Sequence, residues 1–135
     1  MPATLIVAHS SGAERSALVD LLWRNPNLQV VNQTATFEGV LDLVEMRKPD
    51  AVVIEFSLIP ADKVLRSGSK QEGVKPLKAL LGCEVVAVTV RADDSRQLAE
   101  RLGVAALLER NRVRESLVET VLSVTGSRRR GAAPS

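Results

Sequence analysis

Short apolar runs alternate with segments of helical period along most of the chain. Residues 4–8 (TLIVA) form a nearly unbroken apolar run, the signature of a strand covered on both faces. Ser11 and Glu14 stand at capping-box spacing and predict a helix start, with Ala17, Leu18, Leu21 and Leu22 on one face. Asn25-Pro26-Asn27 ends that helix. Residues 28–35 (LQVVNQTA) read as a second, more polar strand, suited to a place nearer a sheet edge. Thr36 caps the next helix, which carries Val40, Leu43, Val44 and Arg47 on successive turns and closes at Pro49. Residues 50–54 (DAVVI) are the third strand.

A longer connection follows. Residues 61–71 have Gly68 between two serines and no clear period, and read as a loop with at most a helical turn. Residues 74–81 are a short helix and residues 84–90 (EVVAVTV) the fourth strand. Asp94 with Gln97 predicts the next helix start, and Gly103 its end. Residues 104–108 are the fifth strand. Asn111 caps a last helix with Val113, Leu117, Val118, Val121 and Leu122 on its apolar face. Residues 126–135 (GSRRRGAAPS) have the composition of a disordered basic tail or linker, so the folded domain is expected over 1–125. Five strands alternating with five helices predict a single doubly wound α/β domain, a mostly parallel five-stranded sheet with helices on both faces. Such sheets bind ligands beyond the carboxyl ends of the strands, where strand order reverses. The residues there are His9, Ser10, Glu55, Thr89, Val90, Arg91 and Arg110.

Composition narrows the function classes. Trp23, Phe37 and Phe56 are the whole aromatic content, so the core must be aliphatic and a base-stacking platform is not indicated. Arg128, Arg129 and Arg130 supply three of the 18 basic residues; the other 15 face 16 acidic ones, so the folded body is near neutral and gives no general DNA-binding surface. The single Cys83 excludes an intrachain disulfide and fits a reducing compartment. One His and one Cys cannot make a His/Cys zinc site. No apolar stretch approaches a membrane span and no leader pattern opens the chain, so a cytoplasmic protein with no membrane partner is expected. Residues 10–14 (SSGAE) match neither nucleotide-binding fingerprint. No cofactor and no metal are expected.

At the strand ends the chain resembles the receiver domain of two-component response regulators, over roughly residues 4–124. LIVAHS (5–10) is similar to the family's first strand, and Arg15 with Leu18, Leu21 and Leu22 to its first helix. NPNLQVV (25–31) resembles the second-strand approach of receivers joined to helix-turn-helix output domains. PDAVVIEF (49–56) resembles the third strand, EGVKPLKALL (72–81) the start of the third helix, and GVAALLER (103–110) the run that ends in the family's lysine. VVAVTV (85–90) carries Thr89 at the switch hydroxyl position. The resemblance implies a flavodoxin-like, CheY-like fold. It also implies an acidic pair for Mg²⁺, a phosphoacceptor Asp, a Thr/Ser and a Lys. Here the acidic pair is His9 and Ser10, the acceptor position is Glu55, and the lysine position is Arg110. Only Thr89 is retained. Asp50 lies at the other end of the sheet and does not repair the set. Mg²⁺ prefers hard oxygen ligands, and without it phosphoryl transfer loses its main electrostatic support. The five positions therefore read as a degenerate phosphoacceptor site with no catalytic residue.

Glu55 and Arg110 admit two readings. Arg110 can hold the Glu55 carboxylate with two parallel hydrogen bonds and, with Thr89, lock an activated-like conformation. The simpler reading, which is preferred, is an ion pair retained because an unpaired carboxylate is costly. His9 reads as a polar strand-end residue rather than a sensor or ligand, and Ser11 as a helix cap rather than a nucleophile. Lys63, Arg66 and Lys70 make the 61–71 loop basic, a candidate contact for an acidic partner or small anion, although a solvated insertion explains it more simply. Arg96, Glu100, Leu107 and Arg114 mark the face of the last two helices and fifth strand, through which the resemblance implies partner contact or a homodimer. Leu107 stands at the family's aromatic switch position, which argues against phosphorylation-driven switching. Arg128–Arg130 offer nucleic acid only weak, salt-sensitive contact. The expectation is a non-enzymatic signalling module that meets protein partners independently of phosphorylation. Two alternatives stand beside it: the N-terminal part of a transcription regulator whose DNA-binding domain lies outside this chain, and a small-ligand or nucleotide-binding α/β domain.

Overall fold

The computed structural model describes residues 2–67 and 75–132, with side chains described through Gly126 except that of Ser67. The elements in chain order are β1 (Ala3–Ala8), α1 (Gly12–Trp23), β2 (Leu28–Thr34), α2 (Phe37–Arg47), β3 (Ala51–Glu55), α3 (Ala61–Ser67), α4 (Pro76–Leu81), β4 (Glu84–Thr89), α5 (Ala92–Leu102), β5 (Ala106–Glu109) and α6 (Val113–Ala132). The strands form one sheet in the order β2-β1-β3-β4-β5, with every neighbouring pair parallel. This is the five-stranded doubly wound architecture that the alternating pattern predicts. Among the described residues no helix is long and apolar enough to cross a membrane.

Both faces of the sheet are covered, which explains the unbroken apolar runs. Successive side chains of β1 go to opposite layers. Leu5 and Val7 join Leu18, Leu22, Val53, Val86, Leu117 and Val121 beneath α1 and α6. Ile6 and Ala8 join Val40, Val44, Val52, Leu77, Val85 and Leu102 beneath α2, α4 and α5. The edge strand β2 is only half-buried along most of its length, in line with its more polar sequence. Gly103 ends α5 with φ +80°, and a Cβ there would fall 2.5 Å from the Cβ of Lys75, so the position suits glycine on two counts.

Several boundaries differ from the sequence reading. Residues 61–67 are helical, so Lys63 and Arg66 sit exposed on α3 rather than on a loop; Lys70 lies outside the described residues. Pro60 supplies the reason: its carbonyl accepts from Val64, closing the first turn without a polar cap. The start of α5 is not capped by Asp94. Arg91 is the N-cap and makes no side-chain cap, and the Glu109 carboxylate of β5 accepts from the Ala92 N–H at 3.0 Å instead. β5 begins at Ala106, because Gly103 and Val104 still close the end of α5 with their N–H groups on the Ala99 carbonyl, and Ala105 only then makes the first bond to β4, its N–H on the Val85 carbonyl. Asn111 lies in a 3₁₀ turn, Arg110–Arg112, and α6 begins after it. The helix continues through Ala132, so the backbone of 126–132, which composition assigns to a loose tail, is helical; residues 133–135 lie outside the described residues.

Candidate functional site

Strand order reverses between β1 and β3, so the crevice lies beyond their carboxyl ends. β1 runs into His9 and Ser10, and β3 ends in Glu55. The parallel register places Ala8 beside Ile54, which brings Ser10 and Glu55 together. Glu55 Oε1 accepts the Ser10 backbone N–H at 2.9 Å and the Ser10 hydroxyl at 2.7 Å. Partial burial pushes the Glu55 carboxyl up, but these two bonds, a hydrogen bond from Ser57 and the nearness of the His9 ring outweigh it. The net effect holds Glu55 below its ordinary value.

His9 is buried, and its two ring nitrogens have distinct tasks. Nδ1 accepts the Ser11 backbone N–H at 3.0 Å. That leaves the proton of a neutral ring on Nε2, which donates to Glu14 Oε2 at 2.7 Å. Nδ1 also lies 3.7 Å from Glu55 Oε1, an attractive contact only for the protonated ring. The other oxygen of Glu14 is paired with Arg110. Arg15 donates to the His9 carbonyl at 2.8 Å and to Gln33 on β2 at 3.1 Å. One carboxylate on α1 thus joins the end of β1 to the turn after β5.

The sequence reading places Arg110 on Glu55, and the structure corrects it: Arg110 goes to Glu14, while Glu55 is held by Ser10. Glu14 was assigned to a capping box. Ser11 does accept from the Glu14 N–H at 3.3 Å, but the reciprocal half is missing because His9 Nδ1 already takes the Ser11 N–H. Glu14 is therefore free to reach the site. The signal available in sequence was a histidine two residues before the cap. Thr89 stands apart, with its hydroxyl 3.3 Å from that of Ser95 on α5.

The donor set does not fit Mg²⁺. His9 offers nitrogen where an acid is needed, and the Glu55 oxygen facing Ser10 is already committed to two donors. Among the described residues no group of three or more His, Cys, Asp or Glu could hold a metal ion. Asp50 lies at the amino end of the sheet, as expected, where its carboxylate accepts from the Thr4 N–H at 2.8 Å.

On the outer face Arg96, Glu100 and Arg114 are exposed, and Arg96 lies 3.7 Å from Asp93. Leu107 is half-buried against the α5 layer. Arg114 turns toward α1 and borders a groove there.

No protein-family model matches the sequence, and no curated protein matches it significantly. Solved structures do. The signal receiver domain of the response regulator NarL from Mycobacterium tuberculosis matches with a TM-score of 0.75 at 16% identity, over 93% of this chain and 97% of that one. A LuxR-family DNA-binding response regulator from Staphylococcus aureus matches at 0.73 and 23%, over 91% and 98%. CheY6 of R. sphaeroides, solved in complex with the P1 domain of CheA3, matches at 0.69 and 14%, over 93% and 98%. The chain has the CheY-like receiver fold of response regulators.

Proposed function

We propose that this chain is a non-enzymatic signalling module that works by protein–protein contact, without phosphorylation. The observation that carries the reading is the state of Glu55. It stands at the acceptor position with its oxygen occupied by both donors of Ser10, beside a histidine instead of a metal-holding acid. A phosphoryl donor arriving there meets a committed nucleophile and no clamp for its oxygens. Receiver domains are generally not enzymes in their own right, and the CheY6 neighbour was solved bound to a protein partner. The exposed Arg96 and Glu100 of α5 offer polar contacts for such a partner, or for a second copy. The test is exposure of the purified chain to acetyl phosphate with Mg²⁺, followed by intact mass measurement. The expected result is an unchanged mass. Phosphate on Glu55 would overturn the reading.

A second reading is the N-terminal part of a transcription regulator. It is favoured by the S. aureus neighbour, which is described as DNA-binding. The length of the native polypeptide in its source cell decides it: a longer product with a second domain supports it, and a product ending at Ser135 sinks it.

A further inference from the structure

A groove of about 560 Å³ runs between α1 and the start of α6, beside the strand-end site. Its volume falls inside the range of small-molecule pockets, roughly 300–1,000 Å³. Leu18, Leu21, Val88 and Val113 give it an apolar wall. At the N-terminal end of α1 it reaches His9, Glu14 and Arg110. Arg114 of α6 lines it as well, and Asp20 and Arg24 line it toward the C-terminal end of α1. Arg110 is paired with Glu14, but among the described residues the side chains of Arg24 and Arg114 have neither an ion pair nor a hydrogen bond. Asp20 is the one unpaired acid that opposes them. A guanidinium presents several donors in a planar fork that fits a carboxylate, sulfonate or phosphate. Free guanidinia beside an apolar wall are the chemistry of a site for an anion with an apolar body.

We propose that this groove binds a small amphipathic anion. Its head group lies against Arg114, near the Glu14 end of α1, and its apolar body runs over Val113, Leu18 and Leu21 toward Arg24 at the other end of that helix. Arg110 is within the same lining, so the head group competes with Glu14 for it. Binding then loosens the tie between α1 and the turn after β5. The site goes beyond the partner-binding role above, and neither requires the other.

Anilinonaphthalene sulfonate, an aromatic anion, is a suitable probe for titration into the full chain by fluorescence. The expected result is one saturable site and a rise in melting temperature, the mark of binding to the folded state. Arg24 and Arg114 are both exposed, so alanine variants should keep the fold, as circular dichroism can check. Arg114→Ala should weaken binding about tenfold, a typical cost for one charged contact, and Arg24→Ala, farther from the head group, by less. The uncharged N-phenylnaphthylamine should bind more weakly than the sulfonate. Glu14→Gln, which releases Arg110, should bind the sulfonate more tightly. Absence of saturable binding, equal affinity in Arg114→Ala and the wild type, or equal affinity for the uncharged probe would overturn the site. Unchanged affinity in Glu14→Gln would overturn the shared use of Arg110. A positive phosphorylation result would leave all of these outcomes standing.

Discussion

The two halves of the strand-end surface satisfy their polar groups in different ways. Around β1 and β3, the bonds of His9, Ser10, Glu14 and Glu55 join two strands to α1, and Glu14 carries the connection on to Arg110. Around β4 and β5, Thr89 meets Ser95 and Glu109 takes the Ala92 N–H, so both partners lie near the start of α5. The first half is a long-range hub and the second a pair of contacts with one helix. A hub changes several elements when it changes, whereas a local contact changes its own junction. The residue best placed to hold this chain in one conformation is therefore Glu14, not the Thr89 to which the receiver resemblance assigns a switch.

The largest expected effect follows from that hub. Glu14→Ala leaves the Nε2–H of His9, a residue only 6% exposed, without its acceptor. Hydrogen bonds to charged groups contribute about 1.5–3 kcal/mol, and an unsatisfied buried donor costs a similar amount. The Arg110 side of the bridge adds little, because that side chain is 65% exposed. Urea unfolding should show a loss of about 2 kcal/mol, dominated by His9. Glu14→Gln keeps an acceptor for Nε2 and should lose less. A change below about 0.5 kcal/mol in the alanine variant would make the two halves energetically alike.

Glu55 sharpens the comparison through pH. Its folded value is lower than the ordinary 4.5, so its ionised form is favoured by folding. The stabilisation is complete above the unfolded value and is lost as pH falls through the lower folded one. Glu55→Gln keeps the shape but not the charge, and should cost about 1 kcal/mol near neutral pH. The gap between variant and wild type should close as acid is added below the ordinary carboxylate range. Parallel stability curves down to the acid limit would show that Ser10 and Ser57 do not favour the charged form.

The layers of the fold were legible because burial writes itself as period. The β1 run is nearly unbroken in its apolar residues since both faces of the strand are covered, and α6 repeats Val113, Leu117 and Val121 for its one covered face. The short helix over 61–67 was not legible. Among its described side chains Val64 alone is buried and no polar cap marks its start, so neither period nor capping announces it. That His9, Ser10, Glu55, Thr89 and Arg110 fall at or just past strand ends was also legible. Their pairing was not, because it depends on which donor fills which acceptor. Ser10 fills Glu55 and His9 takes the Ser11 N–H, and only then is the Glu14 carboxylate left for Arg110. That ordering belongs to three dimensions, and a pattern of residue types does not contain it.

The smallest expected effect tests the local half. Thr89→Val preserves the shape of the side chain and removes a hydroxyl whose contact with Ser95 is long, at 3.3 Å, and joins two neutral groups. Thr89 is only half-buried, so water can reach the Ser95 hydroxyl once its partner is gone. A neutral, partly solvated bond contributes at the low end of its class, and stability should stay within about 0.5 kcal/mol of wild type. Backbone amide shifts in NMR give the more searching readout. They should change around residues 89–95 and be unchanged at His9, Ser10 and Glu14, since no hydrogen bond or ion pair among the described residues links Thr89 to that network. Shifts that spread to His9 and Glu14 would mean that the two halves move together and that Thr89 still speaks to the hub.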